Sequence, residues 1–451
     1  MTGKQFVYEN VRLSDDRLSV NFDYKVITDE NTFQLSEKLT FSKPLPDNDV
    51  ANRLLRAIHI GLGVSYYKTF LPPQINHDYT MNEDEAYFWN DVFRNGLGEF
   101  LHTNNLSAEQ LAQFTAQTGN IEVGAQDTDD WQPSALLGIG GGKDSIVAGE
   151  LLKNAEIPLS GFVLATGDNV GQTQGVADVM KVSLNVVKRK VDPQILEMNK
   201  MDGALNGHIP ISLVFALVGC ILACIEKSKY VIVANESSAS IPQVQGTNGS
   251  VNHQWSKSLE FEKQFQAYVH KYVTENIHYT SVIRPLSSVA VAKLFCKMPA
   301  YFEVFSSDNS LLKINPEKRD HPRWSLNSPK SLSSFILLAP WLSDEEVLRI
   351  FGRNFLDEAS LSQLFLDLLG AGETPVLDCV GTPDELRLSL AMLQNQNRYQ
   401  ETPLMKQAMD HGLITDNFEA ALAEALKPKT DHAVPQELSE RLFPLFKEYL
   451  G

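Results

Sequence analysis

The stretch Leu136-Leu137-Gly138-Ile139-Gly140-Gly141-Gly142-Lys143-Asp144-Ser145 decides how this chain is read. It passes from a short apolar segment, Leu136 to Ile139, through three consecutive glycines into a segment of helical periodicity from about Asp144 to Lys153. Glycines at such a turn let backbone N–H groups come close to a phosphate chain, and the N-terminus of the following helix adds partial positive charge. The stretch is therefore a pyrophosphate-binding device. It is not a Walker A loop, because Leu137 stands where the first glycine belongs and Asp144 follows the lysine where Ser or Thr is required. Nor is it a dinucleotide fingerprint: counted from Gly138 and Gly140, the third glycine position holds Lys143.

Outward from the loop, Gly161-Phe162-Val163-Leu164-Ala165 reads as a second strand, and Val186-Val187 and Val231-Ile232-Val233 as the cores of others. Strands alternating with helices predict a mostly parallel α/β sheet covered on both faces. The near-continuous apolar run Ile209 to Ile225 approaches the length of a membrane span. Pro210, Ser212 and the flanking strands instead predict a helix packed on the sheet, with Cys220 and Cys224 as buried small hydrophobes. Before the loop, Phe6–Tyr8, Leu18–Phe22 and Leu39–Phe41 read as strands, and Val50–Ile60 and Asn82–His102 as helices. The polar stretch Gln126 to Asp130 marks a boundary. The expected organisation is an α+β accessory domain over 1–130, the α/β domain over 131–335, and a helical, acidic region over 336–451.

At 451 residues, with 43% hydrophobic and 21% charged residues, the chain has the composition of a globular protein with a large core. The formal net charge of −17 argues against a nucleic-acid binder, which needs a cationic footprint. The N-terminus lacks the apolar stretch of a secretory signal, and the four cysteines are scattered rather than framed as a disulfide scaffold. A cytoplasmic location without membrane attachment is expected, and nothing in the sequence fixes an oligomeric state. The region Ser281 to Ser331 runs against the overall charge, with Arg284, Lys293, Lys297, Lys313, Lys318, Arg319, Arg323 and Lys330 against Glu303, Asp308, Glu317 and Asp320. It is either a site for an anion or a solvated loop face.

Ligands of open parallel sheets bind beyond the C-terminal ends of the strands, which directs attention to Asn235 and Glu236 after Val231–Val233. A carboxylate there suits magnesium or a substrate amine. The polar run Asn252-His253-Gln254-Trp255-Ser256-Lys257-Ser258 follows, entering a helix whose apolar face is Leu259, Phe265, Tyr268, Val269 and Tyr272. His253, taken alone, reads equally as a capping or core histidine.

The glycine loop resembles that of the ATP pyrophosphatases, Ser-Gly-Gly-x-Asp-Ser, with Gly140 in place of the leading serine and Gly141, Gly142, Asp144 and Ser145 matched. That resemblance implies cleavage of ATP between the α and β phosphates, with magnesium, and activation of a substrate as an adenylate. The chain as a whole is similar to the UDP-N-acetylmuramoyl-L-alanyl-L-glutamate epimerases. The similarity lies in Val64-Ser65-Tyr66-Tyr67-Lys68, Gly96-Leu97-Gly98-Glu99-Phe100, the glycine loop, Asn252-His253-Gln254 with Ser256-Lys257-Ser258, Arg323-Trp324, Pro329-Lys330, Leu338-Ala339-Pro340 and Asp378-Cys379-Val380-Gly381-Thr382. One departure is plain: Ser325, Ser328 and Ser331 stand where the family is expected to carry cysteines. Cysteines at that spacing suit a structural zinc, as in the related 7-cyano-7-deazaguanine synthases, whereas serines are not soft ligands, so no zinc is expected.

The resemblance implies a sheet of the ATP pyrophosphatase type, a UDP-linked muramoyl dipeptide as substrate, and inversion of its terminal L-glutamate through an acyl-adenylate. Gly140, Gly141, Gly142, Lys143, Asp144 and Ser145 are then expected to hold ATP, with Asp144 on magnesium. Two-sided proton transfer at Cα needs two groups of suitable pKa, and Cys379, His253, Lys257, Glu236 and Glu260 are the candidates. Cys379 stands out because a thiol becomes a workable base once its pKa is lowered. Asn252, Arg284, Arg323 and Lys330 are candidate substrate-binding residues. Two alternatives stay open: an adenylating ligase or amidotransferase, and a non-catalytic nucleotide-binding homologue.

Overall fold

The computed structural model describes residues 1–116, 130–167, 170–246, 249–308 and 323–451. Most of the polar boundary stretch, Gln126–Asp129, and the charged residues Lys313, Glu317, Lys318, Arg319 and Asp320 therefore lie outside the described residues. The strands are β1 (Gly3–Leu13), β2 (Ser19–Thr28), β3 (Thr32–Thr40), β4 (Ile75–Asn76), β5 (Gln132–Gly138), β6 (Leu159–Ala165), β7 (Leu184–Lys190), β8 (Ser228–Val233), β9 (Val244–Gly246), β10 (Gly249–Val251) and β11 (His278–Ser281). Nine of them form one sheet in the order β11-β8-β5-β6-β7-β3-β2-β1-β4, and β9 and β10 form a separate hairpin. From β11 through β7 the neighbours are parallel, as the alternation of strands and helices predicts. The meander β1-β2-β3 is antiparallel and joins the parallel half through β3 and β7. The N-terminal strands thus extend the same sheet. From Pro329 onward the described regular elements are all helical.

The sheet has a core on each face, and β5 shows why. Its alternate residues point opposite ways: Leu136 joins the cluster that includes Val187, Val231 and the N-terminal aromatics, while Ala135 and Leu137 join the one that includes Ile232, Ile283 and the C-terminal helices. The run Ile209–Ile225 becomes the helix Ile211–Glu226, wedged between the sheet and the helix Asp49–Tyr67, so most of its residues are buried. No helix of the described residues is long and apolar enough to cross a membrane. Gly219 allows this close approach, since a Cβ there would lie 2.6 Å from Val231 Cγ1 and 3.1 Å from Phe162 Cζ. Gly219→Ala is expected to lower stability by about 1–3 kcal/mol through overpacking. Denaturant unfolding checks this, and a variant as stable as the parent would show that the sheet yields at Val231.

Asn82–His102 does not form the single predicted helix. It divides into Glu83–Gly96 and Gly98–Thr103, with Leu97 between them out of the helical region at φ −97 and ψ 10. Packing explains the break: Gly96 lies against Pro210, where a Cβ would come within 2.8 Å. The motif Val64–Lys68 is structural. Tyr66 Oη accepts the Asp192 N–H at 3.0 Å, Tyr67 Oη accepts that of Ala112 at 2.7 Å, and Ser65 Oγ receives Arg189 at 3.2 Å. Arg189 also pairs with buried Glu37 at 2.5 Å, across the β3–β7 joint.

Candidate active site

The loop after β5 has the geometry its glycines suggest. Gly141 sits at φ +86, a left-handed conformation that side chains rarely adopt, and a Cβ there would also strike Gln172 Nε2 at 2.8 Å. A Cβ on Gly140 would meet nothing within 4 Å, so its backbone faces open space. Gly142 caps the helix Lys143–Asn154 without a side-chain bond to its first N–H groups, which are thereby available to an anion. Gln172 steadies the loop, donating to the carbonyls of Gly141 at 3.3 Å and Ser306 at 2.8 Å. Lys143 lies buried and pairs with Asp144 at 2.6 Å, whereas the Asp144 side chain is 35% exposed. Burial opposes the charge of Lys143, but Asp144, Glu236 and Glu385 together outweigh it and hold its ammonium above the usual range.

Glu236, just beyond β8, faces the same space. It accepts the Ser238 N–H at 2.6 Å, the Ser238 hydroxyl, and the Ser288 hydroxyl at 3.0 Å. Burial, reinforced by the charge of Glu385, pushes its carboxyl up to about 7. Glu385 is fixed by its own bonds: Oε1 accepts Ser288 N–H at 2.8 Å, and Oε2 accepts Thr382 N–H at 2.8 Å in the capping box of the helix Pro383–Asn395. A carboxyl raised from its ordinary 4.5 to about 7 adds stability at low pH that is lost as pH rises through the folded value. The stability of the parent relative to Glu236→Gln is therefore expected to fall between pH 4.5 and about 7 and to level off above. Thermal melts of both proteins across that range check it; a flat difference would mean that Glu236 ionises at no cost.

Lys257 and Cys379, 122 positions apart, meet where Lys257 Nζ donates to Cys379 Sγ at 3.0 Å. Burial disfavours the ammonium, but Cys379, Asp378 and Asp144 more than compensate and hold Lys257 above its usual range. Asp378 also pairs with Lys330 at 3.4 Å, and its carbonyl receives Gln254 Nε2 at 3.5 Å. Beneath these groups lies Arg284, only 2% exposed. It pairs with buried Glu262 at 3.0 Å and donates to the carbonyls of Glu236 at 2.9 Å and Lys257 at 2.5 Å. Arg284, one of the three basic residues expected from sequence to meet substrate, is therefore a strut between two site segments.

The remaining sequence candidates are dispersed. Glu260 is exposed on the helix Leu259–Tyr272, where Gln264 Nε2 donates to it at 3.5 Å; the helix turns Glu262 inward instead. Asn252 shapes its own turn, donating to Ala239 O at 3.0 Å and accepting Gln254 N–H at 2.8 Å. Arg323 donates to Phe302 O at 2.6 Å and lies 3.5 Å from Glu303. His253 leaves the Lys257–Cys379 pair and bonds through Nδ1 to Glu99, beside His208. Burial pushes the His208 imidazole down to about 4, with His253 and Lys257 adding to the effect against the opposing charge of Glu99. At the serine positions, buried Asp308 accepts Ser325 N–H at 2.7 Å and Ser331 Oγ–H at 3.1 Å. Glu385, Ser288 and Gln172 went unmarked in the sequence, and Asp378 was marked only as part of the Asp378–Thr382 motif. The capping-box spacing of Thr382 and Glu385, directly after Cys379, is the signal that points to Glu385.

The profile of the MurL N-terminal domain matches residues 1–282, and that of the MurL C-terminal domain matches residues 304–421. The chain belongs to the UDP-N-acetyl-alpha-D-muramoyl-L-alanyl-L-glutamate epimerase family. A family member of that name from Xanthomonas oryzae pv. oryzae is 33% identical over 86% of this chain and 85% of its own length. Members from Micromonospora sp. and Salinispora tropica, under the same name, are each 28% identical over 93% of this chain, covering 94% and 92% of their own lengths. The similarity to the epimerase family therefore spans the glycine loop, the Lys257 segment and the Cys379 segment together.

Proposed function

We propose that this protein is an ATP-dependent epimerase, with an α/β portion of the ATP pyrophosphatase type, that inverts the terminal L-glutamate of UDP-linked N-acetylmuramoyl-L-alanyl-L-glutamate in the cytoplasm. The observation that carries the proposal is one juxtaposition. Asp144, in the phosphate loop, lies close enough to Lys257 to raise its pKa, and Lys257 Nζ donates to Cys379 Sγ at 3.0 Å. The glycine loop and the Lys257–Cys379 pair thus share one space, which supports an enzyme that activates a carboxylate and then works on its Cα.

In this reading the glutamate α-carboxylate attacks the α-phosphorus of ATP, pyrophosphate leaves, and an acyl-adenylate forms. Gly140, Gly141, Gly142, Lys143 and Ser145 hold the phosphates. Magnesium fits at Asp144, whose partly exposed carboxylate is the hard oxygen donor that this ion takes beside nucleotide phosphates, where it would neutralise developing charge. Activation removes the negative charge that opposes Cα deprotonation and leaves a carbonyl able to accept the electron pair. Cys379 takes the Cα proton, the thiolate being the reactive form of cysteine. Glu236, part-protonated near neutral pH, returns a proton to the opposite face. Water then adds to the acyl carbonyl and AMP departs. Lys330 and Arg323 pair with the substrate's anionic groups, and Arg284 positions Glu236 and Lys257. No zinc is assigned to Ser325, Ser328 and Ser331, where Asp308 joins the chain without a soft ligand.

The test is incubation with ATP, magnesium and the UDP-linked L-Ala-L-Glu peptide, followed by chiral chromatography of the released glutamate. D-glutamate with AMP, in a product of unchanged mass, is expected. A heavier product would assign the chain to the adenylating ligases, and ATP binding without AMP release would make it a non-catalytic homologue.

A further inference from the structure

Outside the proposed chemistry, three distant segments bring metal-ligating side chains together. Glu99 opens the short helix Gly98–Thr103, His208 precedes the helix Ile211–Glu226, and His253 follows β10. His253 Nδ1 and His208 Nδ1 both address Glu99 Oε2, the latter at 3.4 Å, and one donor atom from each of the three residues lies within 4.8 Å of the others. The two imidazole centroids are 4.5 Å apart. Among the described residues this is the one group of three or more His, Cys, Asp or Glu side chains placed to hold a metal.

Local packing prepares the arrangement. Gly96 against Pro210 brings the Glu99 helix beside the His208 loop, and Asn104 Nδ2 donates to Asn206 O at 3.0 Å, tying the two together. The backbone N–H of His253 donates to Gln243 Oε1 at 2.9 Å, which holds the third segment in place. Three ligands from separately anchored segments lose little freedom on binding an ion. Their side chains retain 16%, 22% and 15% exposure, so the cluster is reachable from solvent.

We infer that Glu99, His208 and His253 form a binding site for one divalent first-row transition ion. Two imidazoles and one carboxylate are the borderline donor set that such ions prefer to magnesium, and three protein ligands leave coordination positions for water. The bound ion ties the Asn252–Lys257 segment to the N-terminal part of the chain. Gln254, the next residue after His253, reaches Asp378 O beside Cys379, so the ion stiffens the ground on which Lys257 stands. The expectation of no zinc rests on Ser325, Ser328 and Ser331, and zinc held by this cluster would overturn it.

The test uses the full chain, treated with a chelator and titrated with Co2+ in the absence of ATP and peptide, so its outcome is independent of the epimerase reading. One Co2+ per chain is expected, with visible d–d absorption and paramagnetically shifted proton resonances from two imidazoles. Glu99→Gln and His208→Ala are each expected to weaken Co2+ binding more than about tenfold, with circular dichroism unchanged, while Ser331→Ala binds as the parent does. If the first two variants do not fold, the imidazole resonances of the parent protein decide the matter. Absence of Co2+ binding by the parent, binding without imidazole signals, or parental affinity in folded Glu99→Gln and His208→Ala would each overturn the inference and leave only a carboxylate hydrogen-bonded by two imidazoles.

Discussion

In Cys379→Ser, adenylate formation continues while inversion at Cα falls by about 10²–10⁴-fold, the range that a positioned acid or base contributes. Serine keeps the shape of the side chain and can still accept the Lys257 N–H, so the site is expected to stay assembled. What it loses is basicity, because a hydroxyl has a far higher pKa than a thiol. In heavy water with ATP, the parent enzyme places deuterium at Cα of the D-glutamyl product, since an enolate-like state exchanges that hydrogen with solvent. The variant is expected to release AMP while deuterium incorporation and D-glutamate fall together. Unchanged inversion would remove Cys379 from the proton path and leave Lys257 as the neighbouring candidate. Inversion without ATP would sink the larger proposal, because activation of the carboxylate is the reason given for the phosphate loop.

Asp144→Ala leaves the protein folded and lowers ATP-dependent AMP release by about 10²–10³-fold, the scale of losing one pre-organised electrostatic contact to the transition state. Its side chain is partly exposed but Lys143 is buried, so loss of the pair lowers stability by up to about 3 kcal/mol without unfolding the protein. Lys143 keeps Glu236 and Glu385 as neighbouring acids. The loss falls on chemistry: no carboxylate remains at the loop mouth for magnesium, and Lys257 loses one of the acids that support its ammonium. AMP measured by chromatography beside thermal melts of both proteins separates the two effects. Near-parental AMP release by a folded variant would count against the phosphate-loop assignment.

The parallel strands β5 to β8 were legible because their signals are local, whereas β11 was not read as a strand. Leu136–Gly138 alternates between two apolar faces, and the glycines after it mark the turn into a helix. The meander β1-β2-β3 was equally legible as strands, but its place was not, since the pairing of Leu39 with Arg189 joins positions remote in the chain. Asn82–His102 misled for a related reason. Its periodicity continues through Leu97, and only contact between Gly96 and Pro210 shows why the helix divides there.

The candidate site divides in the same way. The strand-to-helix turn is set within six consecutive residues, Gly140 to Ser145, so the sequence by itself determined its backbone shape. Residue type alone could not separate Glu260 from Glu262, neighbours on one helix, of which one is exposed and the other pairs with buried Arg284. Nor could it tell that Arg284 supports the site from below, that Lys257 reaches Cys379, or that His253 turns away to Glu99 and His208. Each of these depends on which side chains are desolvated together, and a charge buried without a partner costs several kcal/mol. Local periodicity carries no record of such partners, because they arrive from segments distant in the chain; only the tertiary structure decided them.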